Sequence, residues 1–197
     1  MISPSAALAP AGAVLEFWFE ERCRKLWFER NEAFDAEIRE RFAELVSTAA
    51  AGRLGLWEST RDGALGLAIL LDQFPRNLYR GSPQAFAADA AARCVAARAL
   101  DRGFDRQTPW ERRFFFYMPF EHSEIAADQD RSVELFGAWL EASPPERRAE
   151  AEEQFEYVRR HQEIIGRFGR FPHRNATLGR ASTPAEIAFL QEPRSSF

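Results

Sequence analysis

Lysine is nearly missing from this chain: of 26 basic residues, only Lys25 is not an arginine. Arginine is thus its default cation, and one more Arg in a motif says little. Cysteine is scarce as well. Cys23 and Cys94 lie far apart without metal-ligand spacing, so no disulfide framework or thiolate cluster is expected, and a reducing compartment is the simple reading. Both fall in helical stretches, where a thiol packs as a small apolar group. No apolar run approaches the roughly 20 residues that span a bilayer. No Lys or Arg precedes Arg22, so the charged start of a secretory signal is missing and the expected location is the cytoplasm. A net charge of −4 gives no general attraction to nucleic acid or anionic lipid. Period-two alternation of β-branched residues is lacking throughout, which excludes a sheet as the framework. Also missing are a glycine-rich phosphate loop, a Gly-x-Ser-x-Gly elbow and a Glu-x-x-His pair. No metal site and no cofactor follow from the residues.

Aromatic residues are plentiful. Eighteen Phe and five Trp demand a large, specifically packed interior, and 197 residues are enough to build one. The Ala/Pro-rich residues 1–11 read as a loose tail, and residues 12–197 as a single all-helical domain. Val14–Phe19 forms an apolar helix, with Leu26-Trp27-Phe28 extending its aromatic cluster. Asn31 caps a helix carrying Phe34, Ile38, Phe42 and Leu45 at helical spacing, ending near Gly52. A third helix starts at Ser59 or Thr60, carries Leu65, Ile69 and Asp72 on one stripe, and stops at Pro75. Ser82-Pro83 and Thr108-Pro109 open two more, the first Ala-rich to Gly103, the second running through Tyr117. The next spans about Glu121 to Glu141. Ser143-Pro144-Pro145 is a sharp turn before a long charged helix with Phe155, Val158, His161 or Gln162, Ile165 and Phe168 inward. Ser182-Thr183-Pro184 starts a last short helix. The fold class is all-α, with short connections that make neighbouring helices antiparallel.

Three polar motifs interrupt the apolar pattern. Asp72-Gln73-Phe74-Pro75-Arg76-Asn77 is echoed by Phe171-Pro172-His173-Arg174-Asn175, and Glu121-His122-Ser123-Glu124 lies between. Asp72 sits on an apolar stripe, so its carboxylate needs a partner, and a forked guanidinium is the natural one. An Arg from the 167–180 loop would serve. His122 and His161 also lie on apolar stripes, where a hydrogen-bonded core role competes with a functional one. The Arg-rich loop matches phosphate or carboxylate geometry, although the same arginines could serve backbone carbonyls at a helix exit.

Leu70–Asn77, Tyr117–Glu124 and Arg167–Asn175, with the aromatic start Phe17-Trp18-Phe19 and Trp27-Phe28, resemble the bacterial domain-of-unknown-function 924 family over about residues 12–191. The resemblance implies antiparallel helix pairs in a tetratricopeptide-like (TPR-like) right-handed array around one core. It implies no activity. The leading functional expectation is a polar pocket for a small anionic ligand. Asp72, Gln73, Arg76, Asn77, His122, Glu124, His161, Arg170, His173, Arg174 and Asn175 would line or brace it, with Arg170 and Arg174 gripping the anion. Two alternatives stand beside it: an enzyme of unknown class working in the same pocket by metal chemistry or by a His122 or His161 base beside Glu124 or Asp72, and a helical protein-interaction module whose polar motifs are structural.

Overall fold

In the computed structural model, residues 4–196 are described, and they contain helices, turns and loops but no β-strand. The chain groups into two compact units. The first comprises the chain up to Arg80 together with Gln84–Pro119; the second comprises Gly81–Pro83 and the chain from Phe120 onward.

The first unit is built around α3 (Arg61–Leu78), buried along nearly its whole length. Thr60 caps it, its hydroxyl accepting from Gly63 N at 3.1 Å. Gly63 must be glycine, since a Cβ there would lie 2.2 Å from the Trp57 carbonyl oxygen. Packed on α3 are α1 (Pro4–Trp18), α2 (Glu32–Ala50) and α4 (Asp89–Asp101). Phe17, Trp18, Phe34, Phe42, Phe74 and Phe115 meet in its interior at ring separations of 5.0–6.3 Å.

Four expectations change here. Helix α1 begins at Pro4, inside the stretch read as a tail, because Pro fits a first turn, the alanines that follow favour helix, and Ala11 and Val14 are buried. Residues 1–3 lie outside the described residues. Helix α3 continues past Pro75 to Leu78. Proline removes one backbone donor, but the surrounding core and an Arg76 side-chain bond to the Asp72 carbonyl hold the turn. Ser82-Pro83 opens only a short turn, Pro83–Ala85. The Ala-rich helix starts at Asp89, whose carboxylate is fixed by Arg76. Thr108 does not cap a long helix; its hydroxyl donates to Phe104 O at 2.8 Å. A single turn, Trp110–Arg113, tightens into Phe114–Phe116, which lets three successive phenylalanines all be buried.

In the second unit α5 (Ala126–Glu141) packs on α6 (Arg148–Phe168). Residues 121–124 precede α5 instead of forming its first turn. Ser123 Oγ donates to Asp128 Oδ2 at 2.6 Å and accepts from Ile125 N at 3.1 Å, local bonds that compete with helix. Along α6, Val158, His161, Ile164 and Ile165 are buried, and Gln162 points to Asp130 on α5. Gly169, with φ +68°, ends α6 in the left-handed conformation that glycine adopts without penalty. Ile164, Ile165, Phe171 and Phe189 form the core against the last helix, α7 (Pro184–Phe189).

Candidate functional site

The first polar motif lies within the first unit and is tightly paired there. Asp72 is 1% exposed. It receives Gln73 Nε2 at 2.5 Å and faces Arg76 Nη1 at 3.4 Å. Its guanidinium neighbour is thus one helical turn along α3, where the sequence pointed to the 167–180 loop. Arg76 also forks onto Asp89 at 3.1 and 3.2 Å. Asn77 donates to Asp35 Oδ1 at 2.8 Å, and Arg80 forks onto the same carboxylate at 2.5 and 2.9 Å. Asp35 and Asp89 were not among the sequence candidates; both stand in helical first turns, where an acidic residue is expected without any pairing role. Together these bonds tie α2, α3 and α4 at the C-terminal end of α3.

The second and third motifs both belong to the second unit. Arg170 is committed to Glu186, donating through Nε at 2.6 Å and Nη2 at 2.8 Å. Glu186 simultaneously closes the capping box of α7 by accepting from Thr183 N at 2.7 Å. Arg170, foremost, holds the Glu186 carboxyl far below the usual carboxylate range. An arginine expected to grip a ligand is therefore a brace. Arg180 plays the same part for Glu124, with two bonds of 2.7 and 2.9 Å. It also donates to Asn175 Oδ1 and to Phe171 O. Phe171 N donates to Glu124 Oε1 at 2.8 Å. Burial raises the Glu124 carboxyl, but Arg180 and that N–H outweigh it and hold the group below its ordinary value. Asn175 is 1% exposed and donates to Ser182 Oγ at 3.0 Å. These contacts fix the loop that carries His173 and Arg174.

All three histidines of the chain collect in this unit. His122 and His161 have ring centroids 6.4 Å apart. Phe171 stands edge-on to His161 at 5.4 Å and 5.5 Å from His173. The Arg174 guanidinium lies over the Phe171 ring at 4.7 Å, in a residue only 6% exposed. His161 Nδ1 is 2.8 Å from Tyr157 O and 3.2 Å from Oε1 of the buried Glu121. Gln129 pins the turn bearing Glu121 and His122, its Nε2 donating to the carbonyls of Phe120, Glu121 and Ser123 at 2.6–3.3 Å.

Burial is the chief reason the His161 and His173 imidazoles stay neutral. It pushes His161 down to about 3, aided by His122, His173 and Arg174 and opposed by the Tyr157 carbonyl. It pushes His173 down to about 4, with Arg174 next in effect and Glu124 opposing. Among the described residues no three His, Cys, Asp or Glu side chains are grouped to hold a metal ion. Glu121, Gln129, Arg180 and Glu186 were not among the candidate pocket residues. Glu121 opens the second motif and Arg180 ends the Arg-rich loop, but nothing in their spacing foretold the partners they find.

An all-helical protein in which three imidazoles gather near one buried guanidinium is the class these features define. The chain matches the model for bacterial proteins of unknown function DUF924 across residues 14–194, and it belongs to that family. A solved structure of a protein of unknown function from Agrobacterium tumefaciens is similar, with a TM-score of 0.82 and 37% identity, covering 94% of this chain and 98% of that one. Comparison with curated proteins gives no match.

Proposed function

We propose that the second unit binds a small anionic molecule, a phosphate or carboxylate, against Arg174 and the imidazoles of His122, His161 and His173. The observation that carries this is Arg174 itself: a permanent cation in a residue 6% exposed, laid on Phe171 among three histidines. Arg170 and Arg180 each fork onto a carboxylate and so build the frame of the loop that carries Arg174. A positive field that discourages imidazole protonation favours an anion by the same Coulomb term. Phe171 supplies a flat wall that strengthens the guanidinium's position.

The test is thermal unfolding of the purified protein with sulfate, inorganic phosphate and di- and tricarboxylates. A ligand at about 100 times its dissociation constant adds ~2.7 kcal/mol, roughly 5–10 °C for a chain of this size. Arg174→Ala should abolish that shift. No shift from any anion in the panel sinks the reading.

A further inference from the structure

We infer that one buried water molecule is a built-in part of the second unit, bound on the inner face of α5 between the side-chain oxygens of Gln129 and Ser132. Its place does not depend on an anion at Arg174. The buried residues of α5 are Gln129, Ser132, Phe136 and Trp139, which recur at helical spacing on one stripe. The first two are polar groups in a core position, Gln129 1% exposed and Ser132 0%. The two ends of a glutamine amide are told apart by what they face. One end of Gln129 faces the carbonyl oxygens of Phe120, Glu121 and Ser123 at 3.3, 2.7 and 2.6 Å. Three acceptors demand the NH2 group there, since an oxygen would meet three sets of lone pairs. Oε1 is therefore the other end, and it finds no hydrogen-bond donor among the described residues.

Ser132 Oγ is likewise without a partner among the described residues. A helical serine ordinarily turns its hydroxyl onto the carbonyl one turn back, and this one does not. Residues three apart are neighbours on one helix face, and their side chains lean toward the N-terminus. Ser132 thus leans toward the turn from which Gln129 projects. A serine hydroxyl rotates freely to reach any acceptor in range, yet it does not bond Gln129 Oε1. The two oxygens are therefore separated by more than a direct hydrogen bond. Protein interiors are close-packed, so that gap is filled. Water matches its chemistry: one hydrogen goes to Gln129 Oε1, and a lone pair accepts the Ser132 hydroxyl. Two polar partners are enough to hold a buried water. The consequence lies at the turn carrying Glu121 and His122. With both ends of its amide held, Gln129 cannot rotate, and its bonds to the three carbonyls persist.

Crystallography at a resolution that shows ordered solvent is the direct test. One solvent peak is expected within hydrogen-bond range, about 2.6–3.2 Å, of both Gln129 Oε1 and Ser132 Oγ. Side-chain carbon filling the gap, a direct Gln129–Ser132 bond, or a Ser132 hydroxyl turned onto the Asp128 carbonyl overturns the inference. Ser132→Ala gives a second answer through the sign of its effect. If the hydroxyl is dry and unpaired, alanine removes a buried unsatisfied group and is the better helix former, so the urea midpoint rises. If water is bound, alanine strips it of a partner and leaves Oε1 poorly satisfied, so the midpoint falls. The side-chain NH2 signals of Gln129 should then also exchange faster with solvent. A midpoint that rises or stays level, with those signals unchanged, overturns the bound water.

Discussion

Arg170 and Arg174 lie four residues apart in one loop, and the proposed anion site would give them different work. Arg170 forks onto a carboxylate that is 2% exposed and caps α7, so Arg170→Ala leaves a buried carboxylate without its main partner. The expected outcome is a clear fall in the urea midpoint, larger than for Arg159→Ala, whose exposed partner Glu156 lies 3.7 Å away. Arg174→Ala should instead lose anion binding while keeping most of the unfolding free energy. If the two variants lose stability alike and binding is untouched, both arginines are structural. The sequence did mark this loop, but it could not rank its arginines. Pairing depends on which carboxylates arrive from Glu124 and Glu186, and helix spacing carries no information about them.

At the scale of the element, the caps were readable and the interruptions were not. Asn31, Thr60 and Thr183 cap as their residue types predict, since capping is decided within four residues. Thr183→Ala removes a complete capping box and should cost about 1 kcal/mol, measured by chemical denaturation. Gly63→Ala is a sharper test of the α3 start. A Cβ 2.2 Å from the Trp57 carbonyl forces backbone to move, and overpacking of that kind costs about 1–3 kcal/mol. A neutral or stabilising Gly63→Ala would show that the turn at Gly55–Ser59 yields easily. Pro75 and the Ser82-Pro83 start were misread because propensity rules assume an exposed helix. Inside a core, packing and the Arg76–Asp72–Asp89 bonds outweigh the one backbone bond that proline removes.

For the whole molecule, the buried imidazoles make stability depend on pH. In the unfolded chain both His161 and His173 protonate near 6.5, whereas in the fold they resist down to about 3 and about 4. Between those values the unfolded state binds more protons, so stability falls as pH drops below about 6.5, by about 1.4 kcal/mol per unit for each histidine. Below about 4.5, carboxyls held low, such as Glu37 beside Arg22 and Glu186 beside Arg170, add to the loss. Urea titrations at pH 7, 6 and 5 should show the midpoint dropping at each step, with the slope roughly halved in His161→Gln. A flat profile would mean that the imidazoles protonate freely in the folded chain. The same scale disposes of much of the aromatic content. Phe17, Trp18, Trp57, Phe74, Phe115, Phe116, Phe136, Phe171 and Phe189 are each under 2% exposed, so these aromatic side chains are not available to a partner as a surface.

The helical class, most helix positions and caps, and the three polar motifs could be read from the chain alone, because these follow from periodicity and near-neighbour chemistry. The family resemblance was legible in the same motifs. Which carboxylate each arginine meets, and which histidine meets a carboxyl, emerged with the packed fold. Asp72 turned to Arg76 on its own helix, Arg170 to Glu186, Arg180 to Glu124 and His161 to Glu121. Apart from the first, those partners are 16 to 56 residues apart along the chain. Side chains that distant are brought together by packing of apolar faces, a step whose outcome no local pattern of residues records.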